Sequence, residues 1–226
     1  SDRFNRNYKS FSETQISKEE LALLSFVKIN AGEAYGVEVT ANARQKKWDG
    51  STELVHQVEQ LVMREEDYHT RLLIGAAQHF DGLTIENAWS PPWPLRLLIG
   101  ALVHVPQTLF HPVLIGAEIA GLHAFNWLLN RIQSLFKDEV LVRESLEARL
   151  IEILTDELGH VAFNRILVGS KGRAVGGWVA KQVTKSHRIM SKELVALGFD
   201  DQAMAAVEDF DLDQLPGSVL RNGFFV

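Results

Sequence analysis

Six residues in this chain are placed to do chemistry together: Glu33, Glu66, His69, Glu118, Glu157 and His160. Two of the glutamates open a Glu-x-x-His pattern, Glu66-Asp67-Tyr68-His69 and Glu157-Leu158-Gly159-His160. A lone glutamate precedes each pattern, Glu33 by 33 residues and Glu118 by 39. A helix turns by about 100° per residue, so positions i and i+3 stand about 60° apart and one turn along. A Glu and a His at that spacing address one ion. The order Glu, Glu-x-x-His, Glu, Glu-x-x-His is the donor set of a two-metal carboxylate site inside a four-helix bundle. Carboxylate oxygen with imidazole nitrogen suits two iron ions, with a manganese–iron pair as the variant. The chemistry expected of such a pair is activation of O2 as co-substrate.

Four long helices must position these donors, and the apolar periodicity supplies them. The first is expected from Ser17 to Gln45, opened by the capping box Ser17-Lys18-Glu19-Glu20 and closed by Trp48-Asp49-Gly50. The second runs from Ser51 to Phe80, the third from Pro112 to Phe136, and the fourth from Asp138 to Val168. Each donor interrupts an apolar stripe. Leu23, Phe26, Val27, Asn30, Glu33 and Val37 share one face, and Val55, Val58, Val62, Glu66, His69 and Leu73 another. Leu114, Ile115, Glu118, Leu122 and Phe125 line the third helix; Leu150, Ile153, Glu157, His160 and Asn164 line the fourth. Buried carboxylates facing one another need counter-charge, and two divalent cations match four glutamates.

Short links join the first helix to the second and the third to the fourth. A long crossover joins the two pairs, with the rigid corner Ser90-Pro91-Pro92-Trp93-Pro94 and a short apolar helix, Leu95 to Val105. The expectation is an all-α chain with a single domain over 1–226. Its core bundle spans about 17–168, and glycines at 169, 172, 176 and 177 introduce a helical extension over about 171–226. The apolar stretch from Leu95 to Leu129 is interrupted by Arg96, His104, Pro106, His111, Pro112, Glu118 and His123, which argues against a membrane span. Trp93, Leu95, Leu97, Leu98 and Ile99 instead allow peripheral contact with a bilayer.

The 226 residues carry a formal net charge of -6 and no cysteine. The charge argues against nucleic-acid binding, and the absence of thiols excludes iron–sulfur clusters, thiolate zinc sites and a rubredoxin-like module. The polar start, Ser1 to Ser10, has no apolar signal core, so a cytoplasmic protein is expected. No flavin or nicotinamide motif is visible, so electrons are expected from a separate reductase, from NAD(P)H or from the substrate. A homodimer is the default assembly.

Glu65 and Asp156 each stand four residues before a histidine of the donor set. Metal-bound histidines donate their second N–H to a carboxylate. These two are therefore the expected outer acceptors, reaching across to the opposite helix. Phe26, Leu73, Leu122, Phe125 and Ile153, with Asn30 and Asn164 one turn from a donor, are candidates for a substrate pocket. The bland reading of the two asparagines, buried amides bonded to backbone, carries equal weight. His123 points away from Glu118 and reads as a core or interface histidine, while His104 and His111, beside prolines, read as loop or surface residues.

The order of these motifs resembles the ferritin-like di-iron carboxylate superfamily. Asn30-Ala31-Gly32-Glu33-Ala34-Tyr35-Gly36 is similar to the segment around the first ligand in the demethoxyubiquinone hydroxylases, and Glu118 with His123 resembles their third-helix segment. The resemblance covers about Lys28 to Leu167. It implies a ferritin-like four-helix bundle with a long crossover between helices two and three. It also implies a non-haem di-iron oxidase or monooxygenase that hydroxylates an apolar or aromatic, quinone-like substrate. Two alternatives stay open at this point: a bacterioferritin-like ferroxidase that stores iron, and a structural or membrane-associated bundle with a structural metal.

Overall fold

The computed structural model describes residues 17–80, 93–105, 107–190, 198–199, 201–206 and 209–223; over most of 170–190 it describes the backbone alone. Helix α1 spans Lys18–Trp48, α2 Leu54–Ala77, α3 Trp93–Leu102, α4 Gln107–Leu135 and α5 Val140–Met190. The short helices α6 (Asp201–Ala206) and α7 (Gly217–Asn222) flank a 3-10 turn at Leu212–Gln214. The described residues are helical and contain no strand, as the periodicity implies. The polar start and most of the proline corner lie outside the described residues.

Helix α1 begins where its capping box directs. Ser17 Oγ accepts the Glu20 amide at 3.1 Å, and the Glu20 carboxylate accepts the Ser17 amide at 3.2 Å. The chain turns at Gly50, whose φ of 70° is open to glycine at little strain. Helix α2 starts three residues later than its apolar pattern suggests, because Ser51 caps the turn: its Oγ accepts the Glu53 amide at 3.3 Å.

One further boundary differs from the sequence expectation. Helix α4 begins at Gln107 and takes Pro112 inside its second turn instead of starting there, which removes one bond from the ladder. The fourth helix ends at Val168 as expected: Gly169 has non-helical geometry (φ 61°, ψ -175°), and a second helical segment follows at once to Met190 within α5.

The long helices α1, α2, α4 and α5 pack together, most extensively as the pairs α1–α2 and α4–α5. His69 on α2 meets Asp156 on α5 while the earlier Glu65 meets the later His160, so α2 and α5 are antiparallel. Helix α4 is antiparallel to α5 across the contact of His111 with Asn164. Helices α2 and α4 therefore run parallel, with α3 in the segment between them. An ion pair between Lys18 and Glu139 ties the start of α1 to the α4–α5 turn.

The core fills the end of the bundle around Phe26, Leu73, Leu122, Phe125, Leu150 and Ile153, all at most 1% exposed. Burying each such side chain is worth about 1.5–3 kcal/mol. The stretch Thr108–Leu135 is long and apolar enough to cross a membrane by length and composition, yet 56% of its most apolar window is buried inside the protein. The C-terminal segment closes over α4 and α5: Leu215 and Val219 join the core, and His123 bonds the Ala203 carbonyl at 2.8 Å among the rings of Phe199 and Phe210. His123 is thus a buried interface residue.

Candidate metal centre

Each of the four long helices contributes to one buried polar layer. Carboxylate oxygens of Glu66 (α2), Glu118 (α4) and Glu157 (α5) and a ring nitrogen of His160 (α5) all lie within 4.8 Å of one another. This cluster can hold a metal ion. His69 adjoins it, with Nδ1 at 3.2 Å from Glu157 and 3.7 Å from Glu66. His160 Nδ1 mirrors this, at 3.0 Å from Glu66 and 3.7 Å from Glu157. The two rings stand 5.8 Å apart. Glu33 on α1, partly buried, is not among these four residues but feels the charges of Glu66 and Glu157.

The outer nitrogens are fixed by a reciprocal cross-brace. His69 Nε2 on α2 meets Asp156 on α5 at 3.0 Å, and His160 Nε2 on α5 meets Glu65 on α2 at 3.0 Å. Each Nε2 donates outward, and each Nδ1 is aimed into the centre. The helical step between neighbours produces this geometry: Glu65 and Asp156 directly precede Glu66 and Glu157, so each points toward the facing helix.

The site's electrostatics follow from four acids in a dry interior. Burial raises the carboxyls of Glu33 and Glu118 well above the usual carboxylate range, and the charges on Glu66 and Glu157 raise them further. For His69, burial opposes protonation, but Asp156, Glu157 and Glu66 outweigh it and push the imidazole up to about 12. His160 is raised as well, by Glu157, Glu65 and Glu66 against its burial. Burial works against charge on Glu157, yet the neighbouring His160, His69 and Glu118 hold its carboxyl below the usual range. Protons therefore supply the counter-charge in the metal-free centre.

The donor set fits metal ions on a second count. His69 Nδ1, His160 Nδ1 and Glu157 Oε2 are buried with no hydrogen-bond partner, although all three face the same space. Interiors rarely leave such atoms orphaned, and a cation with several open coordination positions satisfies them together.

The apolar residues expected beside a substrate, Phe26, Leu73, Leu122, Phe125 and Ile153, sit together in the core on one side of this layer. Asn30 has a buried side-chain oxygen without a partner. Asn164 lies on the opposite side of the layer, donates to the His160 carbonyl at 2.9 Å and is 1% exposed. His111 corrects its sequence assignment. It is not a surface residue but 5% exposed, with Nδ1 at 2.9 Å from Asn164. The inclusion of Pro112 in α4 draws it into the bundle. His104, by contrast, is exposed.

Sequence reading also passed over Trp48, Arg44 and Glu59, which surround His111. A spacing of seven would have found part of this group: Glu59 precedes Glu66, His111 precedes Glu118, and Asn164 follows Glu157, each by two helical turns.

Comparison with protein-family models, with curated proteins and with solved structures gave no match.

Proposed function

We propose that this chain is an O2-activating non-haem di-iron enzyme of the ferritin-like kind, an oxidase or monooxygenase acting on a small apolar or aromatic organic substrate. The observation that carries this reading is the buried layer of glutamates and inward-facing histidine nitrogens, with its orphaned donor atoms. Two antiparallel helix pairs joined by one long crossover support the ferritin-like part.

Glu66 and Glu157, with His69 and His160 through Nδ1, would hold the ions, and Glu33 and Glu118 would complete the set from α1 and α4. Two bound ferrous ions supply the electrons and open coordination positions that O2 activation requires. Asp156 and Glu65 hold the imidazoles in the productive tautomer. Phe26, Leu73, Leu122, Phe125 and Ile153 keep water from the centre on one side and favour an apolar substrate there, with hydroxylation as the outcome. A quinone-like substrate fits that chemistry. Electrons for further turnovers come from a reductase or NAD(P)H.

Peripheral membrane contact is a second element of the reading. Trp93 and Leu97 on α3 are 65% and 64% exposed, and an apolar substrate partitions into lipid.

The experiment is oxygen uptake by anaerobically reconstituted ferrous protein, with iron per chain counted before and after. About two irons retained per chain with limited O2 use is the expected result. Continuous oxidation of many irons into a mineral would replace this reading with ferroxidase storage. Metal binding without O2 reactivity would leave a structural metal, and no specific iron binding would sink the centre itself.

A further inference from the structure

Two turns beyond the metal-ligand layer lies a second buried polar group, formed by Arg44 and Trp48 of α1, Glu59 of α2, His111 of α4 and Asn164 of α5. The residue exposures are all 8% or less. Its hydrogen bonds run in a chain. Trp48 Nε1 donates to Glu59 Oε2 at 2.7 Å. His111 Nε2 stands 3.7 Å from Glu59 Oε1, and His111 Nδ1 stands 2.9 Å from Asn164 Oδ1. Asn164 Nδ2 then donates to the carbonyl of His160 at 2.9 Å.

The donors and acceptors fix the direction of this chain. The amide nitrogen of Asn164 is committed to a carbonyl, so its oxygen must accept from His111 Nδ1–H. A neutral His111 therefore turns the bare lone pair of Nε2 toward Glu59 Oε1. That oxygen is buried and has no hydrogen-bond partner. Two acceptors face each other in the interior, and one proton between them would join both halves of the chain.

We propose that Glu59, His111 and Asn164 form a proton-responsive brace for His160, closed when one proton enters the gap between Glu59 and His111. In the closed state His111 donates from both nitrogens, and the chain is continuous from Trp48 to the His160 carbonyl. In the open state the two acceptors repel, and His111, still bonded to Asn164, has no hold on Glu59. The groups facing His111 are Glu59 on α2, Arg44 and Lys47 on α1, and Asn164 on α5, with the rings of Phe110 and Phe163 against it. Burial lowers the imidazole below the usual histidine range; Arg44 and Lys47 add to this, while Asn164 and Glu59 oppose it. The brace therefore closes as the pH falls. These are positioning residues: they touch neither metal nor substrate and act through the backbone of His160. Their bearing on metal binding rests on the proposed function above, whereas the proton does not.

The test uses the whole metal-free chain labelled with nitrogen-15 in its histidines. His111 is expected to carry its proton on Nδ1 at neutral pH and to gain one on Nε2 with a midpoint below about 6.5. In Glu59→Gln the new amide can donate to Nε2, so the proton is no longer needed and proton affinity should fall at least ~10-fold. An Nε2–H tautomer in the wild type at neutral pH, or an unchanged midpoint in Glu59→Gln, overturns the brace. The first of these stands even if the variant does not fold. Titration with Co(II) reads the second half: Asn164→Ala should bind about 10-fold more weakly, and the wild-type affinity should change with pH at the His111 midpoint, a change lost in Glu59→Gln. Equal affinity in Asn164→Ala overturns the positioning role. No Co(II) binding by the wild type overturns the metal reading and that role with it, while the nitrogen shifts still decide the proton.

Discussion

At the scale of single residues, the centre depends on where two protons sit. Asp156 and Glu65 take the outward N–H of His69 and His160, which leaves both Nδ1 atoms facing the centre. Asp156→Asn and Glu65→Gln keep the size of each side chain but remove the charge that holds the ring. Each should weaken metal binding by about 10–100-fold, measured by competition against a chelating indicator, with little change in helix content. Glu157→Ala should be more damaging, because this carboxylate contacts both imidazoles. Glu66, Glu118, Glu157 and His160, which the fold gathers into one cluster, were legible in the sequence because each interrupts an apolar stripe at helical spacing. That Glu65 and Asp156 would reach a histidine of the opposite helix was legible too, but the pairing of Glu65 with His160 and of Asp156 with His69 needed the relative height of α2 and α5, which no local pattern encodes.

At the scale of the elements, each long helix carries a wet layer of donors within a dry stripe. The stripe does most of the holding. Phe125 and Leu150 are fully buried where α4 packs on α5. Leu150→Ala should lower the unfolding free energy by about 2–5 kcal/mol, read from urea denaturation, since the surrounding helices close the gap only in part. Ser17→Ala, which removes one half of the α1 capping box, should lower it by about 0.5–2 kcal/mol. The helix starts were readable where a cap stood in the sequence, as at Ser17. They were misread where proline was taken as a start: α4 runs five residues further toward the N-terminus than Pro112, and His111 is buried as a result. The glycine at 169 ends the fourth helix, as its place after the apolar stripe implied, and a new helical segment starts directly after it.

At the scale of the whole molecule, folding concentrates acidic groups that repel, and the metal-free protein must balance them with protons. His69 has its folded value raised to about 12, above the roughly 6.5 of an unfolded histidine. A raised imidazole stabilises the fold fully below about 6.5 and loses that contribution as the pH rises toward its folded value. The raised carboxyls of Glu33 and Glu118 act in the same direction once the pH exceeds the unfolded carboxylate range. Glu157, which is lowered, acts in the opposite sense only at acid pH. The melting temperature of metal-free protein should therefore fall between pH 6.5 and pH 10. Added Fe(II) or Co(II) should flatten the curve and release protons into weakly buffered solution. A melting temperature that rises across this range would mean that the histidines are neutral in the fold.

The sequence alone established the helical class, the apolar stripes, and the candidate residues Glu66, Glu118, Glu157 and His160 that the fold gathers into one cluster, because these follow from period and residue type along one helix. It also anticipated that Asp156 and Glu65 reach the opposite helix, but not which nitrogen of each histidine faces inward, nor that Trp48, Glu59, His111 and Asn164 meet in a second polar layer. Those depend on the register between helices far apart in the chain. Register is decided by the packing of side chains such as Leu122, Phe125 and Ile153 into one another, and that exists only once the bundle has closed.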